Sequence, residues 1–127
     1  MPDPVTPATR LRAVRGAVTV AADTSEDIAE ATGELLDALL ERNALASDEI
    51  VSIVFTVTPD LKADFPAAAA RRLGLSATPM LCAQELDVEG AMGRCIRVLV
   101  HCHLPAEHAV RHVYLRGARQ LRLDLPE

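Results

Sequence analysis

Aromatic side chains are almost absent from this 127-residue chain, which has no Trp, one Tyr and two Phe. Because half of the residues are apolar, the core has to be built from Ala, Val, Leu and Ile instead. A chain of this length fits one domain, which on folding buries roughly two-thirds of the surface of the unfolded chain. Each aromatic side chain is therefore worth locating individually.

A positive net charge is also absent, since the formal charge at pH 7 is −5. Nucleic acids and anionic membranes attract a concentrated basic surface, so the composition argues against both kinds of partner. All the basic residues except Lys62 are Arg, the side chain that grips carboxylates through two parallel hydrogen bonds. A general preference for Arg is the plainer explanation of this count, so the count alone identifies no functional Arg.

Disulfide frameworks and thiolate zinc sites are disfavoured, because Cys82, Cys95 and Cys102 are odd in number and have no C-x-x-C spacing. We therefore expect a reducing, cytoplasmic location. Residues 1–9 contain no basic start followed by an apolar run, so we expect no signal peptide. No stretch of the sequence is long enough to span a bilayer.

The residue pattern predicts a flexible N-terminal extension, residues 1–10, and one domain, residues 11–127. Three prolines remove backbone donors from the extension, and nothing apolar repeats in it. The domain begins with a strand that places Val14 and Val18 on one face and Arg15 on the other.

Two helices are predicted after this strand. The long helix begins at N-cap oxygens around Thr24 and ends near Asn43, and apolar residues recur through it at helical spacing. The short helix lies between Pro66, which suits a first helical position, and Gly74, which suits the position after a helix.

Four more strands complete the predicted fold. Residues 50–57 are apolar enough for a strand buried on both faces, and residues 79–85 predict a shorter strand. Residues 95–104 alternate clearly, with Arg97 on the less apolar face. Residues 112–123 predict the last strand. This order of elements indicates a single α/β (α+β) domain with a mixed five-stranded sheet, one long helix and one short helix.

Four segments together resemble the monofunctional, homotrimeric α/β chorismate mutases: VRGAVTV at 14–20, TPDLKADFPAAAAR at 58–71, CAQELDVEGAMGRCIRV at 82–98, and RHVYLRGARQLRLDL at 111–125. The resemblance runs from about residue 11 to the end, in the family's order. It implies a trimeric pseudo α/β barrel with active sites at chain interfaces, chorismate as substrate, and neither cofactor nor metal.

The resemblance also implies the chemistry and the residues that perform it. Chorismate would undergo an intramolecular Claisen rearrangement to prephenate, in phenylalanine and tyrosine synthesis, through selection of the reactive conformer and stabilisation of charge on the ether oxygen. The implied catalytic residues are Arg97, which would contact a carboxylate and that oxygen, and Glu85 and Cys82, which would contact the ring hydroxyl. The implied substrate-binding residues are Arg15, Tyr114, Phe65, Leu81, Arg71, Arg122, Cys95 and Leu121.

One position departs from the family pattern. Ala68 stands where relatives commonly carry a lysine after Phe-Pro-Ala, so a cation expected near a substrate carboxylate is missing. Arg71, Arg119 and Arg122 are the candidates to replace it. Arg122 ranks first, because it matches an arginine of the family's mobile tail.

The spacing of Cys82 and Glu85 bears on how a site could form. Their parity differs along one predicted strand, so the two side chains face opposite ways and cannot easily share one pocket. Two neighbouring chains could form each pocket, one of them contributing Cys82 and Phe65. The other chain would then contribute Glu85, Arg15, Arg97 and Tyr114. A bulge in the strand is the alternative.

The four histidines offer another interpretation of the sequence. His101 and His103 share a strand face, and His108 and His112 have i, i+4 spacing on a predicted helical turn, a pattern that could suggest a metal. No carboxylate is obviously placed to complete such a site, so we expect none. The functional alternatives are a trimeric imine or enamine deaminase-like enzyme and a non-catalytic trimeric metabolite-binding module.

Overall fold

Five strands form one mixed sheet in the computed structural model, which describes residues 8–122. The strands are β1 (Thr9–Thr19), β2 (Ile50–Val57), β3 (Met80–Gln84), β4 (Cys95–Pro105) and β5 (Val113–Leu115), and the helices are α1 (Ser25–Arg42) and α2 (Pro66–Ala70). The strand order is β3-β2-β4-β1-β5. Strand β4 is antiparallel to both neighbours, whereas the outer pairs are parallel. The predicted fold class is therefore confirmed.

The long helix α1 begins and ends at the residues that the sequence predicts. Thr24 caps its first turn by accepting a hydrogen bond from the Asp27 N–H at 3.1 Å. Asn43 closes the last turn, because its Nδ2 donates to the Leu39 carbonyl at 2.9 Å. The apolar stripe buried against the sheet is Ile28, Ala31, Leu35, Leu36 and Leu39.

The sheet has one face covered by the helices and one open face. The covered face of β4 consists of Ile96, Val98, Val100, Cys102 and Leu104. Arg97, between them, is half-buried on the open face. The prediction that β2 is buried on both faces is wrong for the single chain. Ile53 and Phe55 are buried, but Val54 and Thr56 are only partly covered, because both helices lie on the other face.

The last predicted strand, residues 112–123, is wrong beyond β5 over the described residues. A 3-10 segment, Arg116–Leu121, turns back over the open face and packs against Cys95. Arg116 makes this turn at a φ of +55°, and its guanidinium donates to a carboxylate oxygen of Glu34 on α1 at 2.7 Å. Tertiary contacts therefore override a strand-like pattern.

The connection between β4 and β5 contains no helix over residues 108–112, so the predicted helical spacing of His108 and His112 is wrong. Asn43 holds this connection from the end of α1. Its Oδ1 accepts a hydrogen bond from the Arg111 N–H at 2.8 Å, and its Nδ2 donates to the Arg111 carbonyl at 2.9 Å. The start of β5 is thereby fixed relative to α1.

The ends of the domain differ from the sequence prediction in one respect. The sequence pattern predicts that Thr9 and Arg10 belong to the N-terminal extension, but they pair with β4 as the first residues of β1. The rest of the predicted extension, residues 1–7, lies outside the described residues, as does the predicted tail beyond Arg122. Over residues 8–122, no helix is long and apolar enough to cross a membrane.

Candidate active site

Side chains from four neighbouring strands line a pocket of about 290 Å³ on the open face, which we call the arginine pocket. Strand register places Thr56 of β2 beside Arg97 of β4. On the other side of β4, Ala17 of β1 separates Arg97 from Tyr114 of β5. Arg15 lies two residues before Ala17, so it shares the same face. Two cations and a phenol therefore meet at one cavity.

Glu85 pairs with Arg97 inside the arginine pocket. Arg97 Nε lies 3.0 Å from Glu85 Oε2, and Oε1 accepts a hydrogen bond from Thr56 Oγ1 at 2.8 Å. No acceptor lies in line with the buried Arg97 Nε–H, so this contact is an ion pair rather than an aligned hydrogen bond. The Arg97 side chain is nevertheless 42% exposed, which leaves its guanidinium within reach of an anion in the pocket.

The start of β4 is held by a hydrogen-bonded network around Asp60. The Cys95 N–H donates to Thr58 Oγ1 at 3.0 Å, and that hydroxyl donates to Asp60 Oδ1 at 2.6 Å. The Arg94 N–H lies 3.0 and 2.9 Å from the two Asp60 oxygens. The hydrogen bond from Thr58 is the main cause that lowers the pKa of Asp60. This network fixes the strand that carries Arg97.

Several predicted substrate-binding residues gather beside the arginine pocket. Cys95 is fully buried next to Arg97, and burial raises the pKa of its thiol, so it stays protonated at neutral pH. Tyr114 and Leu121 pack against the same small apolar cluster. The Arg122 guanidinium lies 6.0 Å from the centroid of the Tyr114 ring, within the range of a cation–π contact.

A second pocket, of about 320 Å³, is lined by Cys82 and Phe65, and we call it the cysteine pocket. It lies at the β3 edge of the sheet, where Cys82 is beside Phe55 of the core. Lys62 and Asp64 line it too. Its only cationic side chain is therefore one that the sequence did not single out.

The loop before α2 presents this pocket to solvent. The Lys62 and Ala63 N–H groups donate to Asp23 Oδ1 at 2.8 and 2.9 Å, which ties the loop to the start of α1. Phe65 is 69% exposed, and Leu81 on β3 is 64% exposed. Large apolar side chains thus stand on the outside of the single chain.

The two pockets separate residues that the resemblance assigns to one site. Cys82 and Glu85 lie on opposite faces, as their spacing predicts. The alternative of a bulge is wrong, because β3 pairs regularly with β2 through Gln84. The Glu85 N–H then continues the ladder by donating to the Val57 carbonyl at 2.8 Å. Neither pocket of one chain contains both side chains.

Two of the three arginines predicted to replace the missing family lysine lie outside both pockets. Arg71 and Arg119 are exposed and line neither pocket. Lys62 lines the cysteine pocket but is not among the predicted site residues, although it is the only lysine in the chain and precedes Phe65 by three residues. Those two facts were the available sequence signal.

At least three of the four histidines, His101, His108 and His112, have protein partners. His101 Nδ1 lies 3.2 Å from Ser52 Oγ, and His108 Nε2 lies 3.1 Å from Asn43 Oδ1. Among the described residues, no three His, Cys, Asp or Glu side chains are grouped as metal ligands would be. The site is built from arginines, a carboxylate, a phenol and thiols.

Comparison with known proteins gives a consistent result. A family model described as chorismate mutase type I matches residues 11–125. Chorismate mutase AroH of Thermus thermophilus is 48% identical over 117 residues, which cover 91% of this chain and 96% of that protein. Chorismate mutase AroH of Bacillus subtilis (strain 168) is 42% identical over 118 residues, with 91% and 92% covered.

A solved structure is similar as well. The structure of chorismate mutase from Clostridium thermocellum superposes with a TM-score of 0.81 at 44% sequence identity. The match covers 86% of this chain and 98% of that one. These comparisons favour neither an imine deaminase nor a non-catalytic module.

Proposed function

The chain belongs to the chorismate mutase type I family and is an isomerase that converts chorismate to prephenate; we propose that the arginine pocket performs this rearrangement, with Arg97 as its principal catalytic group. The reaction belongs to aromatic amino-acid biosynthesis. One observation carries the proposal: Arg15, Arg97 and Tyr114 face one cavity, and Glu85 is paired with Arg97 beside them.

The rearrangement needs positioning and charge stabilisation rather than proton transfer. The ether carbon–oxygen bond of chorismate breaks while a carbon–carbon bond forms in the same molecule, and no group leaves. The rate therefore depends on holding the reactive conformer and on stabilising negative charge on the ether oxygen. Arg97 can supply that charge because its guanidinium is accessible, while Glu85 fixes its orientation.

Arg15 and Tyr114 complete the recognition of the substrate in this proposal. Chorismate carries two carboxylates, and a guanidinium can bind one of them through two parallel hydrogen bonds. Tyr114 would add a phenolic donor beside Arg15. Leu121 and Arg122 pack around Tyr114 and would border the bound carboxylate.

A direct assay tests the proposed function. Purified protein is incubated with chorismate, and the loss of chorismate absorbance in the ultraviolet is followed together with the formation of prephenate. Prephenate formation that scales with protein concentration is the expected result. Binding of chorismate without turnover would contradict the proposal and favour a non-catalytic module.

We further propose that the chain forms a homotrimer in which two neighbouring copies complete each site. The arginine pocket of one copy would face the cysteine pocket of the next, so that Cys82 contacts the ring hydroxyl and Phe65 covers the ring. The exposed Phe65 and Leu81 and the uncovered part of β2 support this arrangement. Such a contact is heterologous, and it closes into a ring under threefold symmetry.

Mixing two defective variants tests the shared site. Arg97→Ala disables the arginine pocket, and Cys82→Asp places a negative charge in the cysteine pocket opposite a dianionic substrate. Each variant should be nearly inactive alone. Co-expressed trimers should recover up to about a quarter of wild-type activity, because one interface in four combines two intact halves when copies assemble at random in a ring. No recovery, or a fully active monomer by native mass measurement, would rule out the shared site.

We propose Lys62 as the cation that replaces the family lysine missing at Ala68. Lys62 lines the cysteine pocket, and Asp23 holds its backbone in place. Arg71 does not line that pocket, whereas Lys62 is the cationic side chain among its lining residues.

We also propose a cytoplasmic location and no nucleic-acid or membrane partner. The three cysteines are free thiols, and two of them, Cys95 and Cys102, are buried. The net charge of −5 supports the second part of this proposal, since both partners attract basic surfaces.

A further inference from the structure

Just before β5 begins to pair with β1, a side chain supplies the hydrogen-bond acceptor that a paired strand would otherwise supply. Strand β5 pairs with β1 over only three residues, and the first pair is Gly16 with Val113. Arg15 lies just before this pair. Its backbone N–H donates to Nδ1 of His112 at 3.0 Å, so an imidazole provides the acceptor where the strand has not yet begun.

This hydrogen bond requires a neutral His112. Nδ1 accepts a hydrogen bond only when it carries no proton, which places the imidazole proton on Nε2. Burial is the main cause that lowers the pKa of His112, and the positive charges of Arg15 and Arg122 lower it further. The imidazole is therefore neutral, and an acceptor, at neutral pH.

The backbone next to His112 is also held in place. The preceding residue, Arg111, is held at both its N–H and its carbonyl by the Asn43 side chain at the end of α1. A continuous set of contacts thus runs from α1 through Asn43 and His112 to the backbone of Arg15. The Arg15 side chain then lines the arginine pocket.

We propose that His112 is a positioning residue that holds Arg15 in place for binding of a substrate carboxylate. The inference rests on the proposed role of Arg15 in substrate binding. Because Arg97 stands on a different strand and acts on the breaking bond, loss of the His112 contact should weaken substrate binding and leave the chemical step nearly intact. The expected signature is a change in KM without a matching change in kcat.

Three substitutions at this position test the contact. His112→Ala removes the acceptor and should raise KM for chorismate about fivefold, the effect that one ordinary hydrogen bond can support, with kcat within about twofold of wild type. His112→Asn places its Oδ1 near the position of Nδ1 and should restore KM. His112→Gln, of similar polarity, places its oxygen near Nε2 and should not.

The outcomes separate this inference from a general loss of structure. If His112→Ala folds poorly, the difference in KM between the Asn and Gln variants still decides the question. A wild-type KM in His112→Ala, or equal KM values for the Asn and Gln variants, would overturn the inference.

A double-mutant cycle with Arg15→Ala separates it from the proposed function. In the Arg15→Ala background, His112→Ala should raise KM no further, because the positioned guanidinium is already gone. If wild type converts no chorismate, the proposed function fails. If Arg15→Ala leaves KM unchanged, the role of Arg15 fails. If Arg15→Ala raises KM and His112→Ala does not, only the role of His112 fails.

Discussion

The arginine pocket and the cysteine pocket differ in what holds their side chains. Arg97 and Tyr114 stand on paired strands, where their register with β1 sets their positions. Phe65 and Lys62 stand on or beside the loop before α2, which Asp23 ties down through two backbone hydrogen bonds. The sheet therefore fixes the first pocket, whereas the second is formed by β3 on one side and, on the other, by a loop held through two backbone hydrogen bonds.

This difference matches the demands of the proposed chemistry. A donor that stabilises developing charge has to be held to within about 0.5 Å of its productive position, which favours placement on rigid strands. Groups that bind a ring hydroxyl or a carboxylate can tolerate more movement. We therefore expect damage to Arg97 or to the start of β4 to lower kcat, and damage to the carboxylate-binding Arg15 or to the cysteine pocket mainly to raise KM.

The largest expected effect is that of Arg97→Ala. Removal of one donor to a developing negative charge typically costs about 2.7 to 4 kcal/mol in the barrier, which is roughly a hundredfold to a thousandfold in kcat. The loss of a charged donor should reach at least that range. Steady-state kinetics with chorismate, on protein whose circular dichroism matches wild type, measure it.

Arg97→Lys is the matched control, because it keeps the charge. It should also be strongly impaired, since one ammonium cannot contact a carboxylate and the ether oxygen in the planar geometry of a guanidinium. Near-normal turnover in either variant would refute the mechanism. Full activity in the lysine variant alone would mean that charge suffices without geometry.

The next largest effect is expected from Lys62→Ala in the cysteine pocket. Loss of this cation should raise KM about fivefold, the size of one charge-assisted contact that is partly exposed to solvent, with little change in kcat. Lys62→Arg should keep KM near wild type. Chorismate saturation curves for the three proteins measure the effect.

Arg72→Ala serves as the control for this prediction. Arg72 is exposed, and its loss changes the net charge as Lys62→Ala does, although it does not line the cysteine pocket. Its KM should stay close to wild type. Equal increases in KM for Arg72→Ala and Lys62→Ala would show that overall charge, rather than a local contact, attracts the substrate.

The two pockets also differ in how far the sequence predicts them. Alternation along β4 places Arg97 on the open face, and parity separates Cys82 from Glu85, so the main division of the site follows from local periodicity. Register across β1, β4 and β5 is not local. No pattern in one segment shows that Tyr114 lies in the same row as Arg97.

The failures of prediction share a physical cause. The 3-10 segment Arg116–Leu121 looks like a continued strand because its alternation is right, but contacts of Arg116 with Glu34 and Thr19 turn the chain. Strand β2 looks doubly buried because its sequence is apolar, yet its second face lacks cover in the single chain. That mismatch is what a subunit interface on the open face would resolve.

Substitution of two aspartates, one that supports each pocket, should give smaller effects on kinetics and stability. Asp60→Ala removes hydrogen bonds from Thr58 and Arg94 at the start of β4 and should lower the free energy of unfolding by about 1 kcal/mol, with a moderate loss of kcat. Asp23→Ala frees the loop of the cysteine pocket and should mainly raise KM. Urea denaturation and steady-state kinetics distinguish the two. The reverse pattern would contradict the division between sheet and loop.

The smallest effect should appear in the pH dependence at Asp60, whose pKa is lowered mainly by the hydrogen bond from Thr58. As pH falls towards about 4, the ordinary value for an aspartate, the unfolded chain takes up a proton before the folded one does. The stabilisation of the folded state by ionised Asp60 is thus complete above about pH 4, and it is lost as pH falls through the lower pKa that Asp60 has in the folded state.

The difference in unfolding free energy between wild type and Asp60→Asn should stay constant from about pH 8 to 5 and shrink below about pH 4. Urea denaturation across this range measures the difference, at one protein concentration because the stability of the proposed trimer would depend on concentration. A difference that vanishes between pH 7 and 5 would mean that a group other than Asp60 controls the start of β4.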